Sequence, residues 1–179
     1  MMTVADLYRT EGKAELVGGE IVRLPPMGYR PGRIAGRIAR SLDDYAEATG
    51  RGEAYTGTLA YIVPKLPSGR RSFSPDVSYY DGPLPANPMD FISGPPTLAV
   101  EIRGEADYGD SADARLAGKR RDYFAAGTLA VWDVDPLNEC VGLYRPEDPE
   151  TPVVFRRGDV AHAEPALPGW SVPVDWILG

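Results

Sequence analysis

The sequence predicts an α/β protein in which a mixed β-sheet is covered by helices. Two segments have the periodicity of amphipathic helices, and short apolar or β-branched runs lie between and around them. Glycines and prolines that favour turns separate these segments along the whole chain. Because helices and strands are interleaved, we expect one sheet with helices on its faces.

The N-terminal part predicts a short helix, a hairpin and then a long helix. Residues 14–17 and 21–24 flank Gly18-Gly19, a pair suited to a two-residue turn. Over residues 33–48, apolar side chains recur at spacings of three and four, which predicts an amphipathic helix. Gly50 is expected to end this helix.

The middle of the chain predicts three strands and a long loop. Residues 54–63 are rich in β-branched and aromatic side chains and predict one strand, and residues 77–80 predict a second. Five prolines within residues 82–96 predict an irregular loop. The loop leads into the largely apolar run 97–102, which we expect to be a central strand.

The C-terminal part predicts a second helix followed by further strands. Ser111 is a suitable N-cap for a helix over residues 112–126, and Gly127 is a suitable end. Residues 129–134 predict another apolar strand. From residue 138 onwards the chain has short β-like segments broken by prolines.

Length and composition indicate one soluble domain. With 179 residues, 43% of them hydrophobic, the chain can bury one sizeable core, and we expect a single domain over residues 1–179. Residues 59–63 form the longest apolar run, far below the roughly 20 residues that a membrane-spanning helix needs. The single cysteine, Cys140, excludes a disulfide framework, and the charged N-terminal segment is unlike a signal peptide. We therefore expect a cytoplasmic protein.

Several chemistries are excluded by the residues that the chain lacks. His162 is the only histidine, which excludes a histidine-based triad and a multi-histidine metal site. Neither a Cys-x-x-Cys pair nor a glycine-rich phosphate-binding motif occurs. The net charge of −7 argues against broad nonspecific binding to nucleic acid, although a local basic groove remains compatible with it. Carboxylates and lysines are the remaining candidates.

An acidic side chain interrupts the apolar strand that precedes the second helix. Strand alternation places Ala99, Glu101 and Arg103 on one face. Because the strand is otherwise apolar and expected to be central, the Glu101 carboxylate needs a cation, a metal or a proton there. It either pairs with Arg103 or another base, or it joins Asp76 in a metal site. Two carboxylates on neighbouring strands supply the hard oxygen ligands that Mg²⁺ prefers. Asp76 can equally cap a turn, since it follows a proline.

Lys119 is the third candidate. It lies near the apolar stripe that Ala112, Leu116 and Tyr123 form on the second helix, so it either points towards the sheet or extends to solvent. Tyr123, one turn further on, either orients Lys119 or packs in the core. Two acids and a lysine suit phosphodiester hydrolysis, and Arg103 could add electrostatic help.

Three segments resemble the bacterial Uma-two family, restriction-endonuclease-like proteins of the PD-(D/E)xK nuclease superfamily. They are GPPTLAVEIR, DARLAGKRRDYFAAG and TLAVWDVDP, which lie within residues 94–136. The likeness continues in AELVGGEIVRLPP, SPDVSYYD and ALPGWSVPVDWIL, and so covers nearly the whole chain. The resemblance implies a restriction-endonuclease-like mixed sheet flanked by helices, with an N-terminal β-hairpin extension.

The resemblance also implies roles for individual residues. Asp76 and Glu101 take the family's two acidic positions, and Lys119 takes a helix lysine that replaces the usual strand lysine. Glu20 matches another recurrent acidic position, whose role is structural or catalytic. Arg103 stands in the strand-lysine position, so activity depends on Lys119 reaching the site. The Ser-Pro that often follows the second motif is here Gly104-Glu105.

From these residues we expect an endonuclease that uses Mg²⁺, or Mn²⁺, to cut DNA as a homodimer. Its catalytic residues would be Asp76, Glu101, Lys119 and Arg103, with the first two also binding the metal. One alternative is a catalytically inactive module that uses the same fold for binding or assembly. Another is hydrolysis of RNA or of a small phosphorylated substrate.

A basic cluster lies at the start of the first long helix. Its members are spaced by three or four residues, which places them on one helix face: Arg30, Arg33, Arg37 and Arg40. They either contact phosphates or form a solvated surface.

Overall fold

The structure, a computed structural model, describes all residues from Met1 to Gly179. The helices are α1 (Val4–Tyr8), α2 (Tyr29–Thr49), α3 (Asp110–Ala126) and α4 (Val174–Leu178). The strands are β1 (Ala14–Val17), β2 (Glu20–Arg23), β3 (Glu53–Thr56), β4 (Tyr61–Ile62), β5 (Ser72–Phe73), β6 (Val77–Tyr80), β7 (Ile92–Ser93), β8 (Leu98–Ile102), β9 (Ala130–Asp135), β10 (Cys140–Arg145), β11 (Asp148–Arg156), β12 (Val160–His162) and β13 (Ser171–Pro173). None of the helices combines the length and the apolar character that crossing a membrane requires.

A six-stranded mixed sheet forms the centre of the fold. Its strand order is β11-β10-β9-β8-β6-β3, with β8 and β9 parallel and every other neighbouring pair antiparallel. Parallel neighbours need a crossover connection, which α3 provides between β8 and β9. The predicted α/β architecture, a mixed sheet flanked by helices, is confirmed.

The sheet separates two apolar cores. On one face, Leu98, Val100 and Ile102 belong to the larger core, which also contains the buried side of α2. On the other face, Ala99 packs in a smaller core with Tyr123 of α3. The alternation expected for β8 is therefore correct, and it directs Glu101 towards the α3 side of the sheet.

The N-terminal hairpin is confirmed and lies beside the central sheet. Gly18 and Gly19 join β1 to β2 with φ angles of +60° and +78°, as a tight hairpin turn requires. Backbone hydrogen bonds connect this hairpin to the segment before β5: the Gly18 amide donates to the Gly69 carbonyl, and the Arg71 amide to the Leu16 carbonyl. These contacts bring β1 next to β5.

Three predicted element boundaries are wrong. The single strand expected over residues 54–63 is two strands, β3 in the central sheet and β4 in a small sheet with β5 and β7, because Gly57 turns the chain with a φ of +78°. Helix α2 begins at Tyr29 rather than at residue 33. The N-cap of α3 is Gly109 and not Ser111, whereas Gly127 ends the helix as expected.

Candidate active site

Asp76 and Glu101 face each other across two antiparallel strands. The register pairs Val77 with Val100, so the next position outwards sets Asp76 opposite Glu101. One oxygen of Asp76, Oδ2, accepts a hydrogen bond of 2.7 Å from the Ile102 amide. Both carboxylates are largely buried, with 12% of the Asp76 side chain and 18% of the Glu101 side chain exposed. The two acids predicted from distant segments are therefore neighbours.

Helix α3 brings Lys119 to the same place. Its Nζ lies 2.8 Å from Oε1 of Glu101 and 2.7 Å from Oε1 of Glu15. Lys119 thus points towards the sheet, and Glu101 pairs with this lysine and not with Arg103. The structure brings together three of the four residues predicted to be catalytic.

Glu15 of the hairpin is a member of the cluster that the sequence reasoning missed. Its Oε2 accepts from Arg70 at 2.7 Å, and its Oε1 accepts from the Ser74 amide at 2.9 Å. A signal for Glu15 was available, because it interrupts the apolar strand Ala-Glu-Leu-Val as Glu101 interrupts its own strand. Glu20, the hairpin acid singled out instead, is exposed and forms no ion pair.

Alternating charges form a line through this part of the molecule, which we call the ion chain. It begins where Asp122 accepts from Arg70 at 2.9 Å. Its members in order are Asp122, Arg70, Glu15, Lys119 and Glu101. Each buried charge is thus matched by a neighbour of opposite sign, as low-dielectric surroundings demand.

Lys13 is a second basic residue of the site that sequence reasoning did not select. It forms an ion pair with Oδ1 of Asp76, and only 16% of its side chain is exposed. The Ile102 amide already donates to the other oxygen of Asp76. Both oxygens of this carboxylate therefore have a donor.

Tyr123 orients Glu101 rather than Lys119. Its hydroxyl donates a 2.6 Å hydrogen bond to Oε1 of Glu101. Its ring is fully buried and stacks on Phe73 with the ring centres 4.1 Å apart. Tyr123 therefore packs in the core, one of the two roles considered from the sequence, and it fixes the carboxylate of Glu101 instead of orienting Lys119.

Burial and neighbouring charges shift the acids of the site in opposite directions. Burial raises the pKa of Glu101, the charges of Asp76 and Glu15 raise it further, and Lys119 only partly opposes them. Burial would also raise the pKa of Glu15, but the charges of Lys119 and Arg70 dominate and lower it to about 2. Burial would lower the pKa of Lys119, but Glu101 and Glu15 raise it above its usual value, so the ammonium stays charged.

Arg103 lies outside this cluster. Its Nε and Nη2 bind the Asp133 carboxylate at 3.0 and 2.9 Å, and its Nη1 binds Asp113 at 2.8 Å. The same nitrogen donates to the Asp107 carbonyl at 3.0 Å. The guanidinium therefore ties β9, α3 and the loop after β8 together, and it does not contact Glu101.

The basic face predicted on the first long helix is mostly committed to internal partners. Arg30 pairs with Glu139 at 3.1 Å, and Arg40 lies over the Trp176 ring at 5.2 Å from its centre. Arg37 lies against the C-terminal Gly179. Only Arg33 of the four is exposed without such a partner.

The carboxylate pair fits a small, hard dication. No group of three metal-ligating side chains forms a closed cage in the structure. Mg²⁺ does not require such a cage, because it is usually held by one or two carboxylates and keeps several waters. Burial is the main cause of the raised pKa of Glu101, the charges of Asp76 and Glu15 add to it, and a dication bound beside this carboxylate would lower it. An adjoining cleft of about 670 Å³ leaves room for waters and a phosphate group.

Comparison with known proteins points to one family and one fold. The chain matches the family model Uma2, described as "Putative restriction endonuclease", over residues 3–175. No curated protein matches it. A solved structure described as a "putative nuclease belonging to DUF820" from Anabaena variabilis ATCC 29413 has the same fold, with a TM-score of 0.78 and 17% sequence identity. The alignment covers 99% of this chain and 98% of that one.

Proposed function

Since the chain belongs to the Uma2 family, we propose that it is a divalent-metal-dependent endonuclease that hydrolyses phosphodiester bonds in DNA. One observation carries this proposal. Two opposed carboxylates, Asp76 and Glu101, lie at an open cleft with the ammonium of Lys119 2.8 Å from one of them. Acids and a fixed cation in this arrangement match what hydrolysis of a phosphate diester requires.

Asp76 and Glu101 would hold the ion, Mg²⁺ or Mn²⁺, through their carboxylate oxygens. When bound, such an ion lowers the pKa of a coordinated water and neutralises charge on the phosphate. The hydrogen bond from the Ile102 amide fixes Asp76, and the hydroxyl of Tyr123 fixes Glu101. The two ligands are thus oriented before an ion arrives.

Lys119 would stabilise negative charge on the phosphate. Its ammonium is shared between Glu101 and Glu15, which keeps it charged and holds it at the floor of the cleft. Glu15 acts through Lys119 and is therefore a positioning residue. Arg70 in turn positions Glu15 from the other side.

Glu101→Gln tests the proposal directly. The amide keeps the size of the side chain but loses the charge that a dication needs, so metal-stimulated cleavage of plasmid DNA should fall by at least about a hundredfold, the scale of lost electrostatic stabilisation. Titration calorimetry with Mg²⁺ and Mn²⁺ should show weaker binding for this variant and for Asp76→Ala.

Glu20→Gln is the matched control, because Glu20 is an exposed acid of the hairpin outside the ion chain. It should cleave and bind metal like the unaltered protein. Unchanged cleavage by Glu101→Gln would remove Glu101 from the mechanism.

A catalytically silent module of the same fold is the second candidate. It is favoured by Lys13 and Lys119, which already neutralise the two acids, and by Arg103, which stands in the usual strand-lysine position and binds Asp133. This candidate requires that neither Mg²⁺ nor Mn²⁺ bind at millimolar concentration, and that no substrate among DNA, RNA and small phosphodiesters be cleaved. Metal binding that Asp76→Ala abolishes would exclude it.

A further inference from the structure

The cleft above the acids is recessed and partly apolar. Its floor contains Asp76, Glu101 and Lys119, and the segment before α2 and the loop after β8 border it. Met27 and Leu137 line it and expose 38% and 67% of their surface. Apolar side chains that line an open cleft can pack against the faces of unstacked bases by dispersion and burial of apolar surface.

A second groove, of about 520 Å³, meets the cleft at Asp76. Lys13, Asp76 and the Leu24–Met27 segment border both spaces. Asp76 therefore borders two open spaces, and Glu101 beside it faces the larger one. An endonuclease needs this geometry, because its substrate continues on both sides of the cleaved bond.

Glycines form much of the wall of the second groove. Gly32 and Gly36 are one turn apart on α2, and Gly57 lies in the turn after β3. Glycine within a helix costs about 1 kcal/mol relative to alanine, so α2 retains two unfavourable residues on the side that lines the groove. A Cβ at Gly36 would meet no atom within 4 Å, so internal packing does not require glycine there, whereas the φ of +78° already accounts for glycine at position 57. Because glycine has no side chain, these residues leave the groove beside α2 unobstructed.

The charges of the cleft do not form a broad basic surface. Arg103 and Arg115 line it, but they pair with Asp133 and Asp107. The helix arginines are largely paired elsewhere, and the chain carries a net charge of −7. A duplex presents one phosphate per about 1.7 Å of axis and each of its strands one per about 3.4 Å, so a shortage of free cations disfavours a duplex more than a single strand. The deep position of the acids also favours a strand thinner than a duplex.

We infer that the cleft and the second groove are two halves of one trough that holds a single extended strand of nucleic acid across Asp76 and Glu101. This inference rests on the proposed nuclease function and names its substrate class. Bases contact the apolar wall near Met27 and Leu137, and the backbone runs along the glycine face of α2. One strand needs one active site, so the trough does not require the homodimer expected for duplex cleavage.

Gly36→Met tests the trough, because methionine favours a helix and its side chain would fill the groove. Binding is measured by fluorescence anisotropy, in EDTA to prevent metal-dependent cleavage. The probes are a labelled oligodeoxythymidine of about 16 nucleotides, the upper site size of single-strand-binding folds, and a duplex of the same length. Gly118→Met is the matched control, since Gly118 lies in α3 and lines neither space.

The single strand should bind more tightly than the duplex, and Gly36→Met should weaken its binding by about tenfold or more, equivalent to about 1.4 kcal/mol. Gly118→Met should leave binding unchanged. Equal or tighter binding of duplex, or equal effects of the two methionine variants, would overturn the inference.

A separate cleavage assay of both probes with Mg²⁺ distinguishes failure of the trough from failure of the nuclease function. Single-strand binding that Gly36→Met weakens, without cleavage of either probe, supports the trough and contradicts the nuclease function. Duplex cleavage that Gly36→Met leaves intact supports the nuclease function and contradicts the trough.

Discussion

Lys13 would compete with an ion for Asp76, because its ammonium already contacts this carboxylate. An ion that binds Asp76 must replace this contact at Oδ1, since the Ile102 amide occupies Oδ2. Lys13 also borders both halves of the proposed trough, so a displaced ammonium would still face substrate phosphate. The lysine thus serves as an internal counter-ion in the metal-free protein.

Lys13→Met should bind Mg²⁺ more tightly, by about five- to tenfold, because the ion no longer competes with or is repelled by a neighbouring ammonium. Methionine keeps the apolar stem, and titration calorimetry measures the dissociation constant. Lys65→Met, at an exposed lysine without an ion pair, is the control and should change nothing. Weaker Mg²⁺ binding by Lys13→Met would show instead that Lys13 is needed to hold Asp76 in place.

At the scale of elements, α3 is attached to the sheet by polar side chains as much as by apolar ones. Only Ala112, Arg120 and Tyr123 of this helix are buried. Lys119 and Asp122 connect it to the ion chain, and Arg120 contacts Asp133 at 3.4 Å. The contacts that hold α3 against the sheet therefore also place Lys119 in the site.

Tyr123→Phe and Tyr123→Ala separate packing from hydrogen bonding in this attachment. The phenylalanine keeps the stack on Phe73 and loses one hydrogen bond to Glu101, at a cost of about 1 kcal/mol. The alanine also empties a fully buried site and should cost about 3–5 kcal/mol of unfolding free energy. Urea denaturation measures both, and equal losses would contradict an attachment based on the aromatic stack.

Much of the order of helices and strands was predictable because many of the elements carry a local signal. The hairpin glycines, the stripe of α2 and the acid within β8 all appear within short windows of sequence. The division between β3 and β4 was not predictable, because β4 pairs in parallel with β7 from within the proline-rich loop. Asp76, Glu101 and Lys119 were identified by strand alternation and family motifs, whereas Lys13 joins the site through a contact 63 residues away in sequence.

At the scale of the whole molecule, the ion chain links the hairpin, the segment before β5, α3 and β8. Glu15 is at its centre, with 4% of its side chain exposed and two basic partners. Its pKa of about 2 in the folded state lies below the usual value of 4.5. The ionised form therefore stabilises the fold above pH 4.5, and this stabilisation is lost as the pH falls towards 2.

Protonation of Glu15 should therefore lower the free energy of unfolding of the unaltered protein by about 3 kcal/mol between pH 5 and pH 2, as the shift in its pKa implies. Urea denaturation at several pH values should show a shallower pH dependence for Glu15→Gln, which is also less stable at neutral pH because Arg70 and Lys119 lose a partner. Glu20→Gln should keep the slope of the unaltered protein. Parallel slopes for Glu15→Gln and Glu20→Gln would exclude Glu15 as the source of acid sensitivity.

The two lysines at the acid pair separate folding of the chain from metal binding. Because Lys13 and Lys119 already balance the negative charges of Asp76 and Glu101, the chain can fold without a bound metal ion. Under the proposed function, chelation should abolish activity reversibly with little change in melting temperature. Activity would then depend on the supply of the ion and could be gained or lost without refolding of the chain.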